Sequence, residues 1–232
     1  MPQNKWLNLG CGREILPRER RPEYALVPES VFTWPLWENI DRNAAPGVDC
    51  VMDLFSYPWN LPSDSYDGAL LCHLAEHIPH DIRIDRHSAG HSTNFPFHDR
   101  ATELAQMQDS WFCFFSELYR VLTPGAQVYV LSPYATSSGY LSDPTHTRPI
   151  TELVLQHSMQ PNPDAPFEYA NGGINFKMIE TRFAIMDHYK HLLPTQDDPP
   201  HIASAKSEQL QHLMHSQWNV VSDIFARLEV IK

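Results

Sequence analysis

Apolar residues in this chain fall into short runs separated by turn chemistry, with one longer stretch of helical spacing between them. Residues 5–9 (Lys-Trp-Leu-Asn-Leu) read as a short buried strand, and Gly10-Cys11-Gly12 closes it with a tight turn. Residues 13–36 carry Pro17, Pro22, Pro28 and Pro35, a density that blocks a long helix and predicts a loop or broken helical segment. Further strands are expected over 37–41, ending in an acid, over 48–54, and over 67–72, the last entered through the turn Pro62-Ser63-Asp64-Ser65. Residues 79–99 are polar, rich in His and Asp, and lack periodicity; they read as an excursion from the core. Over 100–122, Leu104, Met107, Trp111, Phe115, Leu118 and Leu122 recur at spacings of three and four, the apolar stripe of a helix, which Thr123-Pro124-Gly125 ends. A strand follows at 127–132, a short helix at 150–158 and a loop at 159–175. A strand is then expected at 178–190, an exposed proline- and aspartate-rich linker at 193–201 and a helix at 204–216. Residues 219–231 alternate at Ile224, Ala226, Leu228 and Val230, which is strand periodicity. Strands separated by crossover segments favour an α/β fold with a mostly parallel sheet, to which the final strand adds an antiparallel partner.

Composition narrows the class. At 232 residues with 42% hydrophobic and 11% aromatic, the chain can bury a core, and pervasive disorder is excluded. The formal net charge of −11 argues against gripping nucleic acid, which needs a basic surface to displace counterions. Arg13, Arg18, Arg20 and Arg21 form a local basic cluster that reads as a solvated loop. Cys11, Cys50, Cys72 and Cys113 contain no CxxC pair and predict free thiols in a reduced compartment. There is no apolar signal core, and no apolar run approaches the roughly 20 residues that span a bilayer. The expectation is a cytoplasmic protein with no membrane and no nucleic-acid partner; its oligomeric state is not legible.

The strongest chemical signal is Leu7-Asn8-Leu9-Gly10-Cys11-Gly12, followed about thirty residues later by Ile40-Asp41. Glycines after a first strand let backbone approach a ligand with no Cβ in the way. An acid at the tip of the second strand accepts hydrogen bonds from two ribose hydroxyls. Together they describe a nucleoside-binding crevice at the carboxyl ends of parallel strands, the arrangement of a Rossmann-like, doubly wound three-layer domain.

At these residues the chain resembles the class I S-adenosylmethionine-dependent methyltransferases, in particular the small type-11-like group. Asn8 to Gly12 looks like that family's first motif and Asn39-Ile40-Asp41 like its ribose-binding acid. Asp49 to Leu54 and Leu61 to Asp67 look like the stretch that encloses the adenine and leads to the fourth strand. His73-Leu74-Ala75-Glu76-His77-Ile78 resembles the segment after that strand, and Glu117 to Gly125 the helix and turn before the fifth. Asp143-Pro144-Thr145-His146-Thr147-Arg148 is similar to a later loop of some members. The resemblance runs along residues 5–150. It implies S-adenosylmethionine as cofactor and one methyltransferase-like domain over 1–232, with insertions at 13–36 and 79–99 and a substrate or cap region at 135–203. It implies that Asn8, Gly10, Cys11, Gly12, Asp41, Asp53, Leu54 and His73 surround the cofactor. Two departures stand out: Arg13-Glu14 and a proline-rich stretch replace the usual third glycine and helix, so that Arg13 is a candidate for the methionine carboxylate, and Asn8 stands where many members carry an acid.

The implied chemistry is displacement at a sulfonium methyl by an acceptor, expected to be a small molecule. Where the acceptor must lose a proton, His73, His77 and His146 are the candidate bases. Two other readings stay open. One is a non-catalytic binding protein on the same fold. The other is a zinc hydrolase, because His73-Leu74-Ala75-Glu76-His77 fits the H-x-x-E-H pattern, whose two histidines share a face if the segment is helical. His80, His87, His91 and His98 would be further ligands. No metal site is assigned from sequence.

Overall fold

The computed structural model describes residues 5–84, 104, 109–159 and 173–232. Strands β1 (Trp6–Leu9), β2 (Trp37–Asp41), β3 (Cys50–Val51), β5 (Tyr66–Cys72), β7 (Leu122–Pro133), β8 (Phe176–Ile185) and β9 (Val221–Val230) form one sheet, and β4 (Ser56–Tyr57) and β6 (Arg83–Ile84) pair separately. The sheet order is β3-β2-β1-β5-β7-β9-β8. The pairs β1/β2, β1/β5, β2/β3 and β5/β7 are parallel; β9 runs antiparallel to both neighbours. This is a Rossmann-like α/β sheet with a reversed final strand. The order steps outward from β1 in both directions, which opens a crevice beyond the carboxyl ends of β1 and β2.

Both faces of the sheet are covered, by different means. On one face helix α2 (Ser110–Val121) packs Phe114, Phe115, Leu118 and Val121 against Leu7, Leu9, Leu71, Val128 and Val130. Asp109 caps that helix by accepting the N–H of Trp111 at 2.8 Å. On the other face Leu16, Tyr24, Val27, Val31 and Phe32 lie against Trp6, Trp37, Leu70, Tyr129 and Phe225. These residues come from the proline-rich stretch, which contains only a 3₁₀ turn (Pro22–Tyr24) and one turn of helix α1 (Glu29–Phe32). The stretch read as an insertion is therefore a structural layer: irregular chain performs the covering that a helix performs in a regular doubly wound sheet.

Several element boundaries differ from the sequence reading. The helix expected from residue 100 has its described start at Ser110; Leu104 is buried in the same core, while Met107 and His87, His91 and His98 lie outside the described residues. Leu122, placed in the helical stripe, already belongs to β7, and Thr123-Pro124-Gly125 sits in a bulge where the register to β5 jumps from Tyr66↔Leu122 to Gly68↔Gln127. The strand expected at 48–54 shrinks to two residues. The strand expected to reach 190 stops at Ile185 and gives way to a 3₁₀ segment, Asp187–Leu192. The last helix, α5 (Pro200–Ser216), begins within the expected linker, with proline in its first turn, where no N–H donor is needed. Helices α3 (Ser138–Ser142) and α4 (Glu152–Met159) lie between β7 and β8. Among the described residues no helix is long and apolar enough to cross a membrane.

Candidate functional site

Gly10 and Gly12 both take left-handed backbone, with φ of 66° and 53°, which turns the chain sharply out of β1. A Cβ on Gly10 would lie 2.8 Å from Leu74 Cδ1, so the bend nests directly on the second residue after β5. The Cys11 N–H extends the ladder to Ile40 C=O at 3.0 Å. The Gly12 N–H donates to Asp41 Oδ2 at 2.9 Å, and Asp41 Oδ1 accepts the Asn43 N–H at 2.8 Å. The acid at the tip of β2 thus faces the bend after β1. Burial, and then the Asp41 charge, push the Cys11 thiol up to about 11, which keeps it neutral.

A buried amide pair anchors this bend from below. Asn8 Nδ2 donates to Asn39 Oδ1 at 2.9 Å and to Glu14 C=O at 2.7 Å. Asn39 Oδ1 also accepts the Leu16 N–H at 2.9 Å, and Asn39 Nδ2 donates to Leu16 C=O at 2.9 Å. Asp49 Oδ2 accepts the Asn39 N–H at 2.8 Å. Without a helix after the first motif, the backbone groups of residues 14–16 need partners, and the two amides supply them. An amide can donate and accept at once; a carboxylate at position 8 could donate to neither Asn39 nor Glu14.

Beyond the strand ends lies a cavity of about 410 Å³. Its wall includes Gly10, Asp41, Asp53, Leu54 and His77 among the residues singled out from sequence, together with Arg42, Asn43, Met52, Phe55, Leu74, Pro79, Arg83 and Thr145. Asp53 Oδ1 accepts the Phe55 N–H at 3.0 Å, an Asx turn that holds Leu54 at the rim, and Arg83 Nη1 is 4.0 Å from Asp53 Oδ2. Asn8, Cys11, Gly12, Arg13, His73 and His146 are not on this wall; Arg13 is exposed, and Arg42 and Arg83 are the cations that line the cavity.

The three histidines separate. Strand β5 ends at Cys72, His73 has a left-handed φ of 53°, and only Ala75–His77 form a 3₁₀ turn. The helical face that would join His73 and His77 in a zinc-peptidase pattern is therefore not formed. His73 Nδ1 faces buried Glu76 Oε1 at 3.5 Å; burial lowers the imidazole's pKa, but the Glu76 carboxylate outweighs it and holds the value above the usual one. His77 and His146 meet edge to face, with ring centres 4.6 Å apart. The loop 143–148 brings them together: the Thr147 and Arg148 N–H groups both donate to Glu76 C=O, at 2.8 and 3.0 Å, and Arg148 Nε donates to Ile78 C=O at 2.8 Å. Arg148 also pairs with Asp109, the cap of α2.

No family model matches the chain, and no curated protein matches it. Solved structures do overlap with it. One is a SAM-dependent methyltransferase from Archaeoglobus fulgidus: 17% identity, TM-score 0.49, covering 97% of this chain and 86% of that one. Another is a SAM-dependent methyltransferase from Methanosarcina mazei: 13% identity, TM-score 0.46, covering 100% and 94%. A third is the [4+2]-cyclase SpnF: 14% identity, TM-score 0.46, covering 98% and 74%. Many of the overlapping structures are described as methyltransferases. Overlaps this distant carry neither substrate nor chemistry, and the fold rests on the strand order and register given above.

Proposed function

We propose that the chain binds S-adenosylmethionine in the cavity beyond β1 and β2 and transfers its methyl group to a small-molecule acceptor. The observation that carries this reading is the position of Asp41: its carboxylate meets the Gly12 N–H at 2.9 Å and also lines the cavity. The cavity suits a nucleoside in size and in chemistry, since pockets for ligands of this class run to about 300–1,000 Å³. Met52, Leu54, Phe55 and Leu74 offer apolar walls for a purine ring, and two carboxylates stand at its edge. Asp41 Oδ2 holds one backbone N–H and keeps an acceptor site for a ribose hydroxyl, while Oδ1 accepts the Asn43 N–H at 2.8 Å and, more weakly, Asn43 Nδ2 at 3.3 Å, the contact a second hydroxyl would displace. Asp53 is the acceptor for the adenine amino group.

When bound, the cofactor supplies an electrophilic sulfonium methyl that is displaced directly. The chain's work is to align the acceptor, exclude water and take up a proton. His77 is the one of the three candidate histidines on the cavity wall. Thr145 Oγ1 lies 2.6 Å from Asp143 Oδ1 and 3.1 Å from His77 Nδ1. The carboxylate can only accept, so the Thr145 hydroxyl donates to it and accepts from His77 Nδ1–H. That leaves His77 Nε2 bare, the form a general base requires. The formal net charge of −11 favours a small acceptor over nucleic acid.

Titration calorimetry with S-adenosylhomocysteine tests the binding step. One site per chain, weakened in Asp41→Asn, is the expected result; no heat at millimolar ligand would remove the reading. Binding without transfer of labelled methyl to any acceptor in a broad small-molecule panel would favour the binding-protein alternative.

A further inference from the structure

We propose that Glu76, His77 and His146 bind a divalent first-row metal ion of the zinc type at the rim of the cavity. One ligand atom from each residue lies within 4.8 Å of the others. A tetrahedral ion with bonds of about 2.0–2.1 Å holds its donors about 3.3 Å apart, so on binding the three side chains close in by as much as about 1.5 Å. Glu76 and His77 are neighbours in the chain before α2, while His146 follows β7 and is brought to them by the 143–148 loop docked on Glu76 C=O.

Three features beyond proximity point to an ion. First, both imidazoles are oriented as metal-bound histidines are, with the second ring N–H fixed by an acceptor. His146 Nδ1 lies 2.7 Å from Tyr140 C=O, which can only accept, so Nδ1 carries the proton and Nε2 is the available donor atom. The Asp143–Thr145–His77 chain protonates His77 at Nδ1 in the same way. Second, Glu76 is wholly buried, and its carboxylate is only half satisfied among the described residues: Oε2 accepts from Ser132 Oγ at 2.9 Å, while Oε1 has no hydrogen-bond donor there and faces His73 Nδ1 at 3.5 Å. Buried carboxylates are kept by partners or by cations. Third, Asp143 Oδ2 stands 3.7 Å from His146 Nε2, adding negative charge beside the site.

Two histidines and a carboxylate leave a fourth position open. Because His77 lines the cavity, that position falls at its edge, where an acceptor oxygen could enter. With the ion bound, His77 is a ligand and no longer a base, and lowering the acceptor's pKa passes to the ion. This differs from the H-x-x-E-H reading, since His73 is not in the ligand group and His146, about seventy residues on, is.

Chelator-stripped full-length chain is titrated with Co²⁺, read by visible absorption, and with Zn²⁺, read by calorimetry, both without any nucleoside. The expected result is one ion per chain with a four-coordinate cobalt spectrum. His77→Ala/His146→Ala should weaken binding by more than about 100-fold, and Thr145→Val, which only loosens the orientation of His77, by about 10–100-fold. Exposed His201→Ala should leave it unchanged. No uptake by the stripped wild type at millimolar metal, or equal uptake by the double variant with its metal-free melting point intact, would overturn the site. Should the double variant fail to fold, Thr145→Val decides. S-adenosylhomocysteine binding by the stripped chain is measured separately, so failure of one reading leaves the other standing.

Discussion

Asp41 has two tasks, and substitutions separate them. Its oxygens hold the Gly12 and Asn43 N–H groups, and under the methyl-transfer reading they also take the ribose hydroxyls. Asp41→Ala loses both; Asp41→Asn keeps one acceptor and removes the charge. Asn is therefore expected to cost cofactor affinity about 1–3 kcal/mol, a charge-assisted hydrogen bond or two, with a smaller loss of melting temperature than Ala. Calorimetry paired with ligand-free melting checks this; equal affinity in Asn and wild type would sever the ribose contact. His73 supplies a pH signature. Its pKa is raised by Glu76, so its folded form binds a proton more tightly than its unfolded form. The stabilisation is fully present below the unfolded value of 6.5 and lost as pH rises through the higher folded value. His73→Asn tolerates the left-handed backbone and removes the charge. The wild-type advantage over this variant should shrink as melting is repeated from pH 5.5 to 8.5; an advantage that grows with pH would refute the assignment. At this scale the bend and Asp41 were legible because glycine and an acid at strand tips have few other uses in that pairing. Glu76 was not, because its partners Ser132, Thr147 and Arg148 lie more than fifty residues away.

At the scale of elements, the segment between β3 and β5 is held to α2 by one ion pair. Arg120 Nη2 and Nε meet Glu117 Oε2 and Oε1 at 2.7 and 3.0 Å, while Glu117 Oε2 also accepts the Trp59 N–H at 2.8 Å. Arg120 further donates to Trp59 C=O and Leu61 C=O, at 3.0 and 2.8 Å. This clamp fixes the chain leading from the Asp53 turn back into β5. Arg120→Leu removes this cation from fully buried Glu117 and should cost about 3–5 kcal/mol in urea unfolding. Glu117→Leu/Arg120→Leu, which removes both charges, should recover part of that loss; a double variant no better than the single would mean the backbone contacts of Arg120, not the pairing, dominate. The apolar stripe announced α2 and its length of packing, yet periodicity could not show where it ends. Leu122 continues the three-four spacing while its backbone already pairs with Tyr66. The second layer was illegible for a related reason: residues 16–32 cover a sheet face with turns, and turns carry no period to read.

For the whole molecule, alternation at Ile224, Ala226, Leu228 and Val230 correctly announced a strand, and Phe225 shows what alternation omits. It is buried on the opposite face, stacked near Tyr129, because β9 lies between β7 and β8 with both faces covered. That reversed strand completes the sheet away from the crevice. The proposed cofactor cavity lies on the other side of β1, with walls drawn from β2 and from the segments after β1, β3 and β5, and with Thr145 from the loop after α3. A ligand bridging these segments stabilises the folded chain as a whole. At a hundredfold excess over its Kd a ligand adds about 2.7 kcal/mol. A domain of this size gains about 2–4 °C of melting temperature per kcal/mol, so S-adenosylhomocysteine should raise the transition by about 5–11 °C. Most of the same shift should persist in His77→Ala/His146→Ala, which loses His77 from the cavity wall but keeps Asp41, Asp53 and the apolar walls Met52, Leu54, Phe55 and Leu74, and it should fall in Asp41→Asn. The expected order of shifts is therefore wild type, the histidine double variant close behind it, and Asp41→Asn below both. A reversed order would place the nucleoside at the histidines instead of the Gly-Cys-Gly bend, and no shift in any of the three would leave the crevice without its proposed ligand.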